Sequence, residues 1–108
     1  MKTISTQELK DKLERNQDFI FLNVLPEEYY NKEHIPGSDS LPYEDGFLDE
    51  LKQKAPDKNA EIVVYCANTE CPKSEKAAEK LEQAGYTNVK DYEAGTQGWK
   101  DANYDLAA

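Results

Sequence analysis

The chain lacks any long hydrophobic run: none approaches the roughly 20 apolar residues that a membrane-spanning helix needs. Its aliphatic content is also low. Leu, Ile, Val and Phe supply 20 of 108 residues, just under the roughly 20% at which a highly charged chain tends towards disorder. Basic charge is scarce, with 13 Lys and Arg against 22 Asp and Glu, for a net charge of −9. That balance argues against binding nucleic acid or an anionic membrane through a basic face. Cysteine is rare at two residues, and histidine rarer at one. The N-terminal run Met1–Glu8 has no apolar signal core, so a reducing cytosol is the expected location. Two cysteines there are not expected to be a structural staple, and their spacing carries more information than their number.

What is present answers the disorder concern. Seven Tyr and one Trp add large apolar bodies, and the apolar residues cluster in short runs. The reading is one folded domain over residues 1–108 with a very polar surface, self-repelling and expected to be a monomer.

Ser5 followed by Glu8 forms a capping box, and Leu9 and Leu13 lie four apart, which predicts a helix over about 6–16. Phe19 to Leu25 is a continuous apolar run too short for a buried helix, and it predicts a central strand buried on both faces. Pro26 opens a short helical turn with Glu27 and Glu28 near its positive end. Ile35-Pro36-Gly37-Ser38 is turn chemistry, and Ser40-Leu41-Pro42 reads as a short strand. A helix is expected over 44–54 through Phe47, Leu48 and Leu51. Glu61 to Tyr65 is the clearest strand, with Cys66 at its carboxyl end. From Pro72 to Ala84 the period turns helical, with Ala77, Ala78, Leu81 and Ala84 on one narrow face and Gly85 as its left-handed stop. Asn88–Tyr92 is a last strand, and Gly95–Trp99 opens a last helix. Strands alternating with helices imply parallel pairing, right-handed crossovers and helices on both faces. Ligands in such sheets sit at the carboxyl ends of strands, where the Cys66 loop lies.

The stretch Cys66-Ala67-Asn68-Thr69-Glu70-Cys71-Pro72-Lys73-Ser74 runs from a strand into a helix. A cysteine facing a helix N-terminus lies in the field of unpaired N–H groups, which favour thiolate, can cradle an anion and pull the pKa below the free value of about 8.5. Pro72 suits the first helical position, which would place Cys71 at the N-cap. Physically this is a nucleophile pocket suited to forming a persulfide or attacking a disulfide. The plainer reading is two small buried hydrophobes at a strand end. Cys71 is a candidate resolving thiol. A Cys66–Cys71 disulfide is sterically conceivable under oxidation and is expected to be open in the cytosol.

Four stretches carry a resemblance to the rhodanese-like domain family over nearly the whole chain. They are Glu33-His34-Ile35-Pro36-Gly37-Ser38, the strand Ile62–Tyr65 ending in Cys66, Ser74–Leu81 with Gly85-Tyr86, and Gly95–Trp99. The resemblance implies an α/β sulfurtransferase-type domain with a central, mostly parallel five-stranded sheet. It also implies that Cys66 matches the family's sulfur-carrying cysteine, which takes sulfane sulfur as a persulfide and passes it to a thiophilic acceptor. The implied partners are a small sulfane-sulfur donor, a thiol acceptor and a protein partner, with no cofactor. The loop departs from the family's pattern. Seven residues separate Cys66 from Ser74, with no Gly and no Arg, and Glu70 brings negative charge where a thiosulfate donor wants positive; Lys73 is a point charge rather than a fork. Asn23-Val24-Leu25 stands where the family often has Asp-Val-Arg.

Other classes fit less well. His34, in a turn before Pro36, is expected to serve a structural hydrogen bond or the surface rather than act as a base. A metal held by Cys66, Cys71 and His34 lacks the fourth ligand that structural zinc wants. Phosphatase-type chemistry needs a loop-end arginine for the oxyanion, and none is present. Trp99 is expected to pack the last helix onto the sheet, Tyr29-Tyr30 to be a half-buried helix face, and Glu44-Asp45 with Asp49-Glu50 a solvated one. Two rivals to sulfur transfer remain: a thiol–disulfide or persulfide redox cycle through Cys66 and Cys71, and a non-catalytic interaction domain.

Overall fold

The computed structural model describes residues 2–108. Its elements run β1 (Lys2–Thr3), α1 (Thr6–Glu14), β2 (Ile20–Asn23), α2 (Glu27–Lys32), β3 (Asp39–Ser40), α3 (Phe47–Lys54), β4 (Ile62–Tyr65), α4 (Lys73–Gln83), β5 (Val89–Tyr92) and α5 (Gly95–Asp101). The five strands form one sheet in the order β1-β5-β4-β2-β3, and every pairing is parallel. The buried runs of β2 and β4 lie side by side, Ile20 opposite Ile62 and Leu22 opposite Val64. This is the doubly covered α/β sheet that the alternation of strands and helices implies.

Alternation along the strands divides the core into two layers. On one face Leu22, Val24, Ile62, Val64, Cys66 and Val89 meet Phe47 and Leu51 of α3 and Ala77, Ala78 and Leu81 of α4. On the other, Phe21, Val63, Tyr65 and Tyr92 meet Leu9 of α1 and Trp99 of α5. Trp99 is buried, as its spacing after Gly98 suggests, and its indole N–H donates to the Asp105 carbonyl oxygen. The capping box is present in both halves, the Ser5 hydroxyl accepting from the Glu8 N–H and the Glu8 carboxylate accepting from the Ser5 N–H.

Several boundaries differ from the sequence reading. Helix α1 stops at Glu14, and Asn16 takes a left-handed φ of 53° that ends it early. Strand β2 is shorter than the apolar run, because Asn23 turns its side chain to accept the Leu25 N–H and closes the strand there. Strand β1 is absent from the sequence reading. Its two exposed residues pair with Lys90 and Asp91 through backbone alone, so no apolar pattern marks them. Of the Tyr29-Tyr30 face, Tyr29 is 50% exposed and Tyr30 is the more buried, its hydroxyl donating to the Ser38 carbonyl.

Tyr65 explains why the turn before β3 has its particular residues. Its hydroxyl is buried and accepts from the Asn23 amide at 3.2 Å and from the Ile35 N–H at 3.0 Å. The Ser38 hydroxyl gives its proton to the Ile35 carbonyl, so Tyr65 donates to Ser38 Oγ at 2.7 Å. The turn is thus pinned beside β2 and β4 by one phenol. Tyr65→Phe leaves these buried partners short and is expected to cost about 2 kcal/mol, read as a drop in urea midpoint at constant slope. A change within error would show that water replaces the phenol at no cost.

Candidate active site

Parallel strands end together on one side of the sheet, and the chain order reverses between β2 and β4, which opens a crevice at their carboxyl ends. Cys66 follows β4 at that crevice, 1% exposed, with α4 beginning beyond the loop. The loop is held from two sides. The Cys66 carbonyl accepts from the Thr96 N–H at 3.0 Å and its hydroxyl at 3.2 Å, and the Ala67 carbonyl accepts from the Gln97 N–H at 2.9 Å. Gly95 permits this closeness. It has φ +62°, and a Cβ there would stand 2.4 Å from the Cys66 carbonyl oxygen. Within the loop, Asn68 folds the chain back: its side chain accepts the Glu70 N–H and its carbonyl the Cys71 N–H. Those two amides are therefore occupied, so the loop offers fewer free donors to an anion than its sequence suggests.

The fold-back brings Cys71 over Cys66. The two are joined as a disulfide, with Cα atoms 6.5 Å apart, which is the oxidised state that the spacing allows. That Cα separation lies within the range that bridging requires. Cys66 Sγ also lies 3.4 Å from the Cys71 carbonyl oxygen and 3.8 Å from Ser74 Oγ. Cys71 is not the N-cap of α4. Pro72, already helical at φ −81° and ψ −6°, takes that place, and its carbonyl accepts the first helical bond from Lys76. The Cys71 carbonyl faces Cys66 Sγ, and the Cys71 N–H is bonded to the Asn68 carbonyl. Asn68, Thr69 and Glu70 are exposed, Ala67 and Lys73 half-buried, and Ser74 buried. Beside Ala67 and Asn68 a cleft of about 320 Å³ opens between α2 and α5, with Lys32 and Lys100 among its lining.

His34 is placed elsewhere. Its Nδ1 is 2.9 Å from the Tyr30 carbonyl oxygen, its ring stacks on Tyr30, and its backbone bridges to Ala107. It holds α2 against the C-terminal segment, as a structural histidine would.

One site residue escaped the sequence reading. Asp91 is 1% exposed on the β5 face that meets α4, hydrogen-bonded to Ser74, with Oδ1 unpartnered among the described residues. Burial raises its pKa from 3.8 to about 6; the Ser74 hydroxyl pulls it down, and Glu93 and Glu75 push it further up. The available signal was a charged residue two places from Val89, on the inward side of a strand. A carboxyl whose pKa is raised by folding contributes stability while protonated and loses it as pH climbs from about 4 to about 6. That shift corresponds to about 3 kcal/mol at neutral pH. Asp91→Asn is accordingly expected to stabilise the protein by about 1–2 kcal/mol at pH 7.5 and by little at pH 4. Urea midpoints across that range check it, and a difference independent of pH would contradict the burial argument.

A profile of the Rhodanese-like domain matches residues 5–102. The chain belongs to the rhodanese-like family. Among curated relatives, the rhodanese-like chain is similar to the adenylyltransferase and sulfurtransferase UBA4 of Candida albicans, 29% identical over 103 residues. That match covers 91% of this chain and 23% of the relative, so the chain spans less than a quarter of its length. Among solved structures, the BH2092 protein of Bacillus halodurans superposes with a TM-score of 0.86 at 26% identity, covering 99% of this chain and 77% of that one. A thiosulfate sulfurtransferase from Pseudomonas aeruginosa gives 0.86 at 25% identity, covering 99% of this chain and 20% of that one. The expected rhodanese-like α/β fold is therefore the observed one, in a chain with sulfurtransferase-related homologues. Among the described residues, no helix is long and apolar enough to cross a membrane.

Proposed function

We propose that this rhodanese-like domain is a sulfurtransferase in which Cys66, once reduced, takes a sulfane sulfur as a persulfide and yields it to a thiophilic acceptor. The observation that carries the reading is the position of Cys66: buried at the carboxyl end of β4, in the crevice where the chain order reverses, ahead of α4. A thiolate there attacks the outer sulfur of the donor, the donor's S–S bond breaks, and its remainder leaves with the electron pair. The same sulfurs then meet an acceptor thiol or cyanide, which removes the outer sulfur and restores Cys66. Cys71 and the loop from Ala67 to Ser74 shape access to it. The acceptor includes a protein thiol or carrier, a reading supported by the sulfurtransferase named among the relatives. A cytoplasmic, monomeric protein is the setting this chemistry suits.

The experiment is sulfur transfer from a panel of donors to cyanide, with the protein reduced beforehand. Turnover lost in Cys66→Ser supports the reading, and no turnover or persulfide with any donor leaves an interaction domain. Thiosulfate is expected to be a poor donor with a high KM. A dianion approaches a chain of net charge −9, exposed Glu70 lies in the loop, and no loop arginine offsets either. Raising salt should lower that KM by screening, and Glu70→Arg should lower it by several-fold, more than Glu70→Gln does. A KM unmoved in Glu70→Arg would show that this carboxylate does not face the donor.

A further inference from the structure

We propose that Cys71 discharges the sulfur carried by Cys66 as hydrosulfide, so that this loop can release inorganic sulfide as well as hand sulfur to an acceptor. The inference rests on the carrier role of Cys66 and adds a second outcome for the persulfide.

The loop is built to deliver the second thiol. Anchored at one end by Thr96 and Gln97, and bent back by the two bonds to Asn68, it sets Cys71 immediately before the N-cap of α4. From there Cys71 reaches the Cys66 sulfur without unwinding the helix: the bonded pair and the intact first turn coexist. Cys71 is half-buried and packs against the core layer that contains Cys66, so its path to the inner sulfur is short and largely shielded from water.

The step balances within the site. The Cys71 thiolate attacks Cys66 Sγ, the bond from Sγ to the outer sulfur breaks, and the outer sulfur leaves with that electron pair. The proton from the Cys71 thiol goes to the departing sulfur, giving hydrosulfide. The outer sulfur is reduced by two electrons, and the two cysteine sulfurs together lose two on forming their bond. The sulfane sulfur is itself the oxidant. Return to the dithiol takes a reductant of the dithiol class. The charge of the loop favours departure: Glu70 is exposed beside it and no arginine lies between Cys66 and Ser74, so an anionic leaving group is not clamped.

The test uses the reduced full chain and its Cys71→Ser variant, each given excess thiosulfate at high ionic strength without any reductant. Thiosulfate is chosen because its own leaving group is sulfite, so sulfide arises only from discharge. The wild-type chain is expected to release one equivalent of sulfide and to end lighter than its reduced form by two hydrogens. Cys71→Ser is expected to gain and hold one sulfur atom at least tenfold longer. Wild-type chain that keeps its sulfur as long as Cys71→Ser, with no sulfide formed, overturns the proposal while leaving the carrier role intact. Failure of Cys71→Ser to take up sulfur both from thiosulfate and from inorganic polysulfide overturns the carrier role, and the discharge step falls with it.

Discussion

Cys66→Ser is expected to reduce sulfur transfer by on the order of a thousandfold or more while leaving the reduced protein folded. A serine hydroxyl stays protonated at neutral pH and forms no stable bond to sulfane sulfur, so the carrier intermediate disappears rather than slows. The site tolerates the smaller atom: Ser74 Oγ and the Cys71 carbonyl stand within reach of the position now held by Sγ. The comparison needs the reduced wild-type chain, because in the oxidised form the substitution also removes a small closed loop whose restraint contributes about 2 kcal/mol. In reduced protein the unfolding free energy should move by less than about 1 kcal/mol. Residual transfer within tenfold of wild type would assign the sulfur to another group, with Cys71 next to examine.

Gly95→Ala is expected to have the largest effect on stability, about 3 kcal/mol or more, with transfer falling by over tenfold. The added Cβ meets backbone on every side: the Cys66 carbonyl oxygen at 2.4 Å, the Ala67 carbonyl carbon at 2.8 Å and the Asn68 nitrogen at 2.9 Å. None is the movable end of a side chain. The left-handed φ adds a further cost of about 1–2 kcal/mol for any L side chain. Relief requires α5 and the loop to separate, which breaks the bonds from Thr96 and Gln97 that hold Cys66 and Ala67. A urea titration and kcat/KM on the same preparation check both effects. Stability lost with full activity would show that the loop holds its shape without α5.

How legible this was varies with the range of the interaction responsible. Local patterns read well. The apolar runs of β2 and β4, the capping box at Ser5, the small-residue face of α4 and the cysteine at a strand end all announce themselves within a few residues, because burial and capping act at that distance. Interactions between distant segments did not. Strand β1 pairs with β5 through backbone atoms alone, and the bridge from His34 to Ala107 does the same. The Tyr65 phenol looks like an ordinary strand residue until Asn23, Ile35 and Ser38 converge on it. Asp91 has meaning only beside Ser74, which in turn lies against Cys66, and the register of β5 against β4 and the packing of α4 supply that link. Near Cys71 the helical pattern was right and the cap was one residue off: the first helical bond goes to the Pro72 carbonyl, while the Cys71 carbonyl faces Cys66 across the loop.

The carrier role of Cys66 is tested most directly by locating the sulfur. Reduced Cys71→Ser protein, which keeps a single cysteine, is treated with inorganic polysulfide, capped with an alkylating reagent and digested for peptide mass analysis. One additional sulfur atom on the peptide containing Cys66, absent when cyanide is added before capping and recovered then as thiocyanate, is the predicted result. A Cys66 peptide that carries the alkyl group alone, in protein shown to be folded, would contradict the account.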